Sequence, residues 1–536
     1  MCVIRGVKPS LMHTILCLAY FSVLLLLAMY GLHRSHLVIT CLRMAKKLKA
    51  LKTGVPAVSL EVAPESLPYV TIQLPLYNEA TVADRLLEHV ARIEYPRSRL
   101  EIQVLDDSTD ETRMLVRSLV NKLRAQPATE GPWGGELDIV YIHRVDRVGY
   151  KAGALDAGLK VAKGELVAIF DADFIPQPTF LRSLVSHFSD PKIGMVQARW
   201  GHMNRGTSLL TRVQALMLDG HHLVENRARF AAGWLFNFSG TGGMWRKTAI
   251  YEAGGWEHDT LTEDLDLSYR AQMAGWQFVY REDVVTPAEL PEDVSAFRAQ
   301  QFRWAKGTVQ TARKLMARVL RSNLTLTQRV EAFFHMTPHF AYPLMVLLSV
   351  LLLPALILMP ATNPRTMLLI DLPLCIGTTG SLAAFYSMAE AAQGRRRWDA
   401  LKQLPALLAL GAGLAPHLTK AVFEGMGSMS GEFVRTPKAG VGSSMNGPRY
   451  RARADLPMTE IALCLISLAS TVASLETGHW FATPFAMLFT FGYGYVATLV
   501  ASEQFARRRA QELMPNRAEL DSVPPPAAVS TEELAA

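Results

Sequence analysis

Five apolar runs constrain this chain more than any other feature: residues 11–32, 338–359, 367–388, 458–475 and 481–500 each come close to the ~20 residues that cross a bilayer as a helix. Such runs exclude a collagen-like fibre, a small disulfide scaffold and a disordered tail protein, and they read as a polytopic membrane protein. Composition agrees once it is partitioned along the chain. Charged residues are 19% of the 536, against about 25% in a soluble domain, and the shortfall lies in the runs. Between the first two runs lie roughly 300 residues of ordinary mixed composition, room for one large domain or two small ones, and this block is expected to hold the chemistry. The cysteines (Cys2, Cys17, Cys41, Cys375, Cys464) have no paired spacing and read as reduced packing residues.

Charge sets the expected topology. The net charge of +7 would point to nucleic acid if it formed one stripe on a soluble face. Instead, Arg34, Arg43, Lys46, Lys47, Lys49 and Lys52 follow the first run, and Arg395, Arg396, Arg397 and Lys402 follow the third. Positive flanks are cytoplasmic, which puts the N-terminus outside and the large domain inside, with membrane lipid and no nucleic acid as a partner. The stretch 404–418 is shorter and carries Pro405, Gly411, Gly413 and Pro416. A crossing there would export Arg435, Lys438, Arg449, Arg451, Arg453 and the tail with Arg507, Arg508 and Arg509. It is therefore expected to be re-entrant or interfacial, giving five spans and a cytoplasmic C-terminus. The resulting division is an anchor (1–33), a basic segment and linker (34–68), a catalytic domain (69–304), interfacial helices (305–336), a membrane region (337–501) with a broken segment at 404–424 and a loop at 430–442, and a disordered tail (502–536).

The cytoplasmic block alternates strands and helices. Residues 69–76, 101–105, 137–143, 166–170 and 193–198 read as strands, with helices between them, including one over 151–162. That order predicts a mainly parallel sheet with ligands at the carboxyl ends of its strands. Polar residues fall at those ends: Asn78 and Glu79 after the first strand, Asp106 and Asp107 after the second, Asp171 and Asp173 after the fourth. Neither a Gly-x-Gly-x-x-Gly turn nor a Gly-Lys-Ser/Thr turn is present, so a nucleotide would be held by carboxylates and a metal rather than by a glycine cradle.

Three motifs carry chemistry. Asp171-Ala-Asp173 offers two hard carboxylates at a strand tip, suited to Mg²⁺ or Mn²⁺ on a diphosphate, although an isolated Asp-x-Asp is more often a turn cap. Thr262-Glu263-Asp264 reads as a helix start that can also present a carboxylate to a cleft. Gln300, Arg303 and Trp304 place an amide, a cation and an aromatic face within two helical turns, as a sugar diphosphate would require; a Trp-anchored interfacial helix is the bland alternative.

In this order, Asp107, Asp171-x-Asp173, Thr262-Glu263-Asp264 and Gln300-x-x-Arg303-Trp304 resemble the signature of processive family 2 glycosyltransferases of the cellulose synthase superfamily. Phe236–Arg246, Ala253–Trp256, Glu289-Leu-Pro291 and Phe433–Lys438 are similar to cellulose synthase-like glucomannan 4-beta-mannosyltransferases and related β-glycan synthases. The likeness runs from about Val70 to Lys438. It implies a GT-A glycosyltransferase domain, with a Rossmann-like nucleotide half, inserted between transmembrane helices. By resemblance, Asn78, Glu79, Asp106, Asp107, Lys151 and Asp171 bind the nucleotide sugar, and Asp171 and Asp173 hold Mg²⁺ or Mn²⁺. Asp264 is the general base, flanked by Glu263 and Thr262. Gln300, Arg303, Trp304, Gly242 and Gly243 meet acceptor and diphosphate, and Phe433, Arg435, Thr436 and Lys438 form a gating loop, for which a lipid-binding basic loop is the alternative. The implied reaction is inverting transfer of a hexose from GDP-mannose or UDP-glucose to the non-reducing end of a growing β-linked polysaccharide, with translocation through the spans of a plasma (inner) membrane and accessory export proteins as further partners. Two alternatives stand beside it: a single-transfer glycolipid-forming enzyme and a nucleotide-sugar-binding transporter. His202, His221, His222 and His258 have no metal-site spacing and read as structural or acceptor-cleft residues.

Overall fold

The computed structural model describes residues 11–48, 56–131, 133–358, 376–429, 431, 440 and 457–512. Its centre is a seven-stranded sheet: β1 (Val70–Leu76), β2 (Leu100–Asp106), β3 (Ile139–His143), β4 (Leu166–Ile169), β5 (Ile193–His202), β6 (Gly243–Arg246) and β7 (Gln277–Ala288), in the order β3-β2-β1-β4-β6-β5-β7. β6 is antiparallel to β4 and β5, and the remaining pairs are parallel. β1 is buried at every position but Pro75, as a strand covered on both faces must be.

Helices α2 (Ala80–Ala91), α3 (Thr112–Arg124) and α4 (Tyr150–Val161) cover the first half of the sheet. Val82, Leu86 and Val90 recur on one face of α2 and pack on Ile72 and Leu74. Each such buried side chain contributes roughly 1.5–3 kcal/mol. The second half is met by α5 (Leu209–Gly220) and α6 (Glu263–Met273); the long α7 (Val294–Arg321) packs on α6 and is followed by α8 (Leu326–Met336). The first five strands coincide with those expected from periodicity. β6 and β7 do not announce themselves: β6 has four residues, and β7 carries Arg281-Glu282-Asp283 through a register shift against β5, where Ala198 pairs Arg281 and Arg199 pairs Val285. A bulge absorbs the charged residues that break the alternation.

Among the described residues five helices are long and apolar enough to cross a membrane: α1 (Leu11–Arg43), Pro338–Leu358 with its core in α9 (Ala341–Leu358), α11 (Arg397–Gly427), α12 (Met458–Glu476) and Thr483–Ala506 of α13 (Thr483–Glu512). The expected span at 367–388 is described only from residue 376, as a π turn and α10 (Ser381–Ala392). The segment 404–424, expected to be re-entrant or interfacial, lies within α11, which is unbroken for 31 residues through Pro405 and Pro416, because tightly packed neighbours sustain a proline-containing helix. Gly413 of α11 and Gly492 of α13 cross so closely that a Cβ on Gly413 would lie 2.2 Å from the Gly492 carbonyl oxygen. Both ends of α11 meet helices of the block between the first two apolar runs, α5 and α7. At its start, Arg395 lies 3.8 Å from Asp219 of α5; at its end, Glu424 pairs with Lys306 of α7 at 3.0 Å and Arg313 donates to the Gly425 carbonyl.

Candidate active site

A cleft at the carboxyl ends of β1, β2 and β4 brings together motifs spread over more than 200 residues of chain: Glu79, Asp107, Lys151, Asp171, Asp173, Thr262, Glu263, Asp264, Gln300, Arg303 and Trp304 all line it. On the donor side, Asp107 is clamped by Arg144, whose Nε and Nη2 donate to its two oxygens at 2.8 and 2.5 Å. Arg144 also donates to the carbonyls of Val148 and Tyr150 and so shapes the loop entering α4. On that loop, the Arg147 guanidinium lies 3.3 Å from the centroid of the Tyr77 ring, a cation–π contact on the cleft wall.

The transfer side is crowded with charge. Lys151 Nζ sits 2.5 Å from Asp171 Oδ1 and donates to the Gly240 carbonyl at 2.9 Å. Gly240 has φ +80, a left-handed conformation that favours glycine, and a Cβ there would lie 3.1 Å from Asp264 Oδ2 and 3.6 Å from Lys151 Nζ. The base candidate and the lysine thus face each other across a residue with no side chain. Burial, then the neighbouring Glu263, raises the Asp264 carboxyl to about 7. Burial also raises Glu263, against the pull of Lys151 and Arg303. For Lys151, burial opposes the charge but Asp171, Glu263 and Asp264 outweigh it, so its pKa stands above the ordinary lysine value. Burial lowers Arg303, against the same carboxylates and Asp173.

Local structure explains these positions. Asp171 and Asp173 follow the fully buried β4, and Asp171 N–H donates to Thr241 Oγ1. Thr262 occupies the N-cap position of α6, but its hydroxyl meets Thr311 Oγ1 of α7 at 3.0 Å, tying the base motif to the helix of Gln300, Arg303 and Trp304.

Four expected residues sit elsewhere. Asp106 is fully buried under the cleft, accepting from Tyr141 Oη at 2.6 Å and from Ser108 N–H, because adjacent residues at a strand end point to opposite faces. Asn78, at φ 55, accepts from Thr109 N–H and joins the β1 and β2 loops without lining the cleft. Gly242 and Gly243 belong to the sheet: Gly242 N–H donates to the Ile169 carbonyl, and Gly243 pairs with Ile169 and Gln197. The cleft is met instead by Ser239, whose buried hydroxyl has no hydrogen-bond partner among the described residues, and by Gly240. Phe433, Arg435, Thr436 and Lys438 lie outside the described residues. Their flanks sit at the cleft: a Cβ on Gly431 would be 3.2 Å from Leu261, and Gly440 N–H donates to Glu289 Oε1 at 2.9 Å.

Sequence reasoning missed Arg144, Arg147, Ser239, Trp200 and Glu289. Trp200 lines the cleft edge-on to Phe174, with centroids 5.2 Å apart, and Glu289 pairs with Arg85 at 3.2 Å. A Glu-Leu-Pro and a Phe-Asn-Phe-Ser-Gly segment were visible, whereas lone arginines on a loop carry no spacing signal. Of the four histidines singled out, His202 lines this cleft, backed by Asp219 at 3.1 Å.

The donor set fits a hard divalent cation: Asp171, Asp173, Glu263 and Asp264, with Glu79, Asp107 and Glu289, share one cleft with Arg147, Lys151 and Arg303, so carboxylates outnumber basic side chains in its lining. A second acidic group, Glu257, Asp259 and Asp266, converges within 4.8 Å. Lys314 Nζ already fills it, meeting Glu257 closely, Asp259 at 2.7 Å and Asp266 at 3.1 Å, while Arg270 holds the other Asp266 oxygen.

Residues 68–307 match the family described as glycosyltransferase like family 2. The sheet, the inserted position between membrane helices and this match define a membrane glycosyltransferase of family 2 with a GT-A-type domain. More narrowly, the chain is 33% identical to glucomannan 4-beta-mannosyltransferase 1 of Oryza sativa subsp. japonica over 82% of this chain and 85% of that protein. It is 35% identical to glucomannan 4-beta-mannosyltransferase 2 of Arabidopsis thaliana over 72% and 70%, and 37% identical to the Arabidopsis thaliana enzyme numbered 7 over 64% and 63%. The chain belongs to the glucomannan 4-beta-mannosyltransferase family, among the hexosyltransferases. A mannosyltransferase from Pyrobaculum calidifontis, solved with GDP-Man and Mn²⁺, aligns at 22% identity and a TM-score of 0.45 over 70% of this chain and 99% of its own.

Proposed function

We propose that this protein transfers mannose from GDP-mannose, with UDP-glucose as the next donor, to the non-reducing end of a growing β-linked polysaccharide, with inversion at the anomeric carbon. The observation that carries the reading is the single cleft in which Asp264, raised to about 7, faces Lys151 and Asp171 across Gly240. A carboxylate poised near neutral pH is suited to take a proton from an attacking hydroxyl. Lys151 and Arg303 are cations suited to a departing diphosphate, and Gln300 and Trp304 offer an amide and a flat face to the acceptor sugar. The acceptor hydroxyl oxygen, losing its proton to Asp264, attacks the anomeric carbon on the face opposite the diphosphate as the bond from that carbon to the diphosphate oxygen breaks, so that one displacement turns an α-linked donor into a β-linked product. Asp171 and Asp173 would hold Mg²⁺ or Mn²⁺, which supplies Lewis-acid stabilisation of the leaving nucleoside diphosphate when bound.

The protein sits in the plasma (inner) membrane with this domain and the C-terminus cytoplasmic and the N-terminus outside. That topology needs both ends of α11 on the cytoplasmic side, which is supported by Arg395, just before it, lying 3.8 Å from Asp219 of α5 and by Glu424, near its end, pairing with Lys306 of α7. The gating-loop role of Phe433, Arg435, Thr436 and Lys438 rests on their resemblance to the cellulose synthase loop and is supported by Gly431 and Gly440, which sit at the cleft; Lys438→Ala is expected to lower turnover without unfolding. The chain emerges through the membrane helices, with accessory export proteins beyond. The test is to supply the purified protein in lipid nanodiscs with a panel of nucleotide sugars and Mg²⁺ or Mn²⁺ and to determine product length and linkage. Polymeric β-linked mannan from GDP-mannose is expected; a single transfer to lipid, or no product from any donor, overturns it.

A further inference from the structure

The elements that set Asp264 are joined by a side chain from outside the cleft. Within the catalytic domain, α6 is stapled to the segment before Gly240: Ser268 Oγ donates to the Asp264 carbonyl and accepts from Phe238 N–H at 2.9 Å, and Gln272 exchanges hydrogen bonds with the Phe236 backbone. A third link comes from α8, the helix that leads into the Pro338–Leu358 span. His335 Nδ1 lies 2.8 Å from Tyr269 Oη of α6, and His335 Nε2 lies 3.2 Å from Asn237 Oδ1. The Asn237 amide is oriented by its own bond, Nδ2 donating to the Phe238 carbonyl, so Oδ1 faces the histidine. That fixes the imidazole as a neutral donor at Nε2 and an acceptor at Nδ1. Burial, with Arg229 and His221 nearby, holds His335 well below the ordinary histidine range, consistent with the neutral form.

α8 is itself anchored on both sides. One face sends Glu331 to Arg229 at 2.9 Å and to His33 of α1 at 2.7 Å. The other leaves Leu326, Val330 and Phe333 exposed as an apolar stripe at helical spacing, continuous with the span that follows.

We propose that His335 is a positioning residue for the transfer reaction: from a helix lodged between α1 and the membrane surface, its imidazole holds α6 and the 236–240 segment in the register that sets Asp264 against Lys151. This rests on the reading of Asp264 as the base. His335 touches neither donor nor acceptor and acts through Tyr269 and Asn237. Loss of the bridge lets α6 shift, and a displacement near 1 Å at a reacting group costs about 10²-fold in rate.

The test uses the full chain in nanodiscs. His335→Leu keeps the volume and removes both bonds; His335→Gln can still accept from Tyr269 and donate to Asn237. His335→Leu is expected to lower kcat about 10- to 100-fold with KM for GDP-mannose within about twofold, and to speed amide exchange over residues 265–269 while β1 and β2 are unchanged. His335→Gln is expected to recover kcat to within about threefold of wild type, and Tyr269→Phe to fall between. Unchanged exchange over 265–269 in His335→Leu, an unchanged kcat, or equal damage in both His335 variants with a parallel fall in thermal midpoint overturns the proposal. If the wild-type protein transfers no sugar, the functional reading fails, and the exchange measurement decides the positioning claim alone.

Discussion

At the carboxyl end of β2 the carboxylates are matched by near neighbours, Asp107 by Arg144 and Asp106 by Tyr141, whereas at the start of α6 Glu263 and Asp264 are buried together and share Lys151 with Asp171. The donor half is compensated within about one domain's worth of adjacent chain. The transfer half is held in place by α7 and α8, and through them by α1 and α11. A locally satisfied charge is rigid and unreactive; a carboxylate kept partly unmatched by distant packing is one whose proton moves near neutral pH. The candidate membrane helices α1 and α11 thus touch, through α8 and α7, the elements that carry Asp264.

If the halves are separable, mutations should split binding from turnover. Asp264→Asn should lower transfer about 10³-fold or more while calorimetric binding of GDP-mannose stays within about threefold; a parallel loss of binding would erase the distinction. Exchanging Asp171 and Asp173 for Asn should cost about 10²-fold and abolish the response of rate to added Mn²⁺, as chelation should in the wild type. Arg144→Met, on the donor side, should weaken donor binding about tenfold, the cost of a charge-assisted bidentate pair, with kcat nearly unchanged.

The pH profile gives the smallest effect. A base must be deprotonated to act, so with Asp264 raised to about 7 the rate should fall as pH drops through 7 and level off above it. Glu263→Gln removes a negative neighbour and should move that midpoint to lower pH; an unmoved midpoint would mean that the pair is not electrostatically linked.

Much of this was readable from the chain. Asp171 and Asp173 follow a strand and Asp264 opens a helix, so their placement followed from element boundaries, whereas Gln300, Arg303 and Trp304 lie inside α7 and were legible from their helical spacing and their resemblance to a known motif. Asp106, Asn78, Gly242 and Gly243 were drawn into the site by adjacency alone: one residue along a strand reverses the direction of a side chain, and no periodicity tells which of two neighbouring aspartates faces the cleft. β6 and β7 escaped because a four-residue strand and a bulged, charged strand have little alternation. The unbroken α11 escaped because its prolines are tolerated only through packing against α7 and α13, which the sequence of α11 does not contain. Arg144 and Arg147 lie on a loop where nothing but three-dimensional contact distinguishes them from any surface arginine.

The central claim is that one base, Asp264, drives inversion across the cleft from Lys151 and Asp171. Proton NMR of the anomeric signal of the newly transferred residue, in the first product formed from GDP-mannose and a short β-mannan acceptor, tests it directly. A β-linked residue is the predicted result; an α-linked residue would contradict the single-base arrangement.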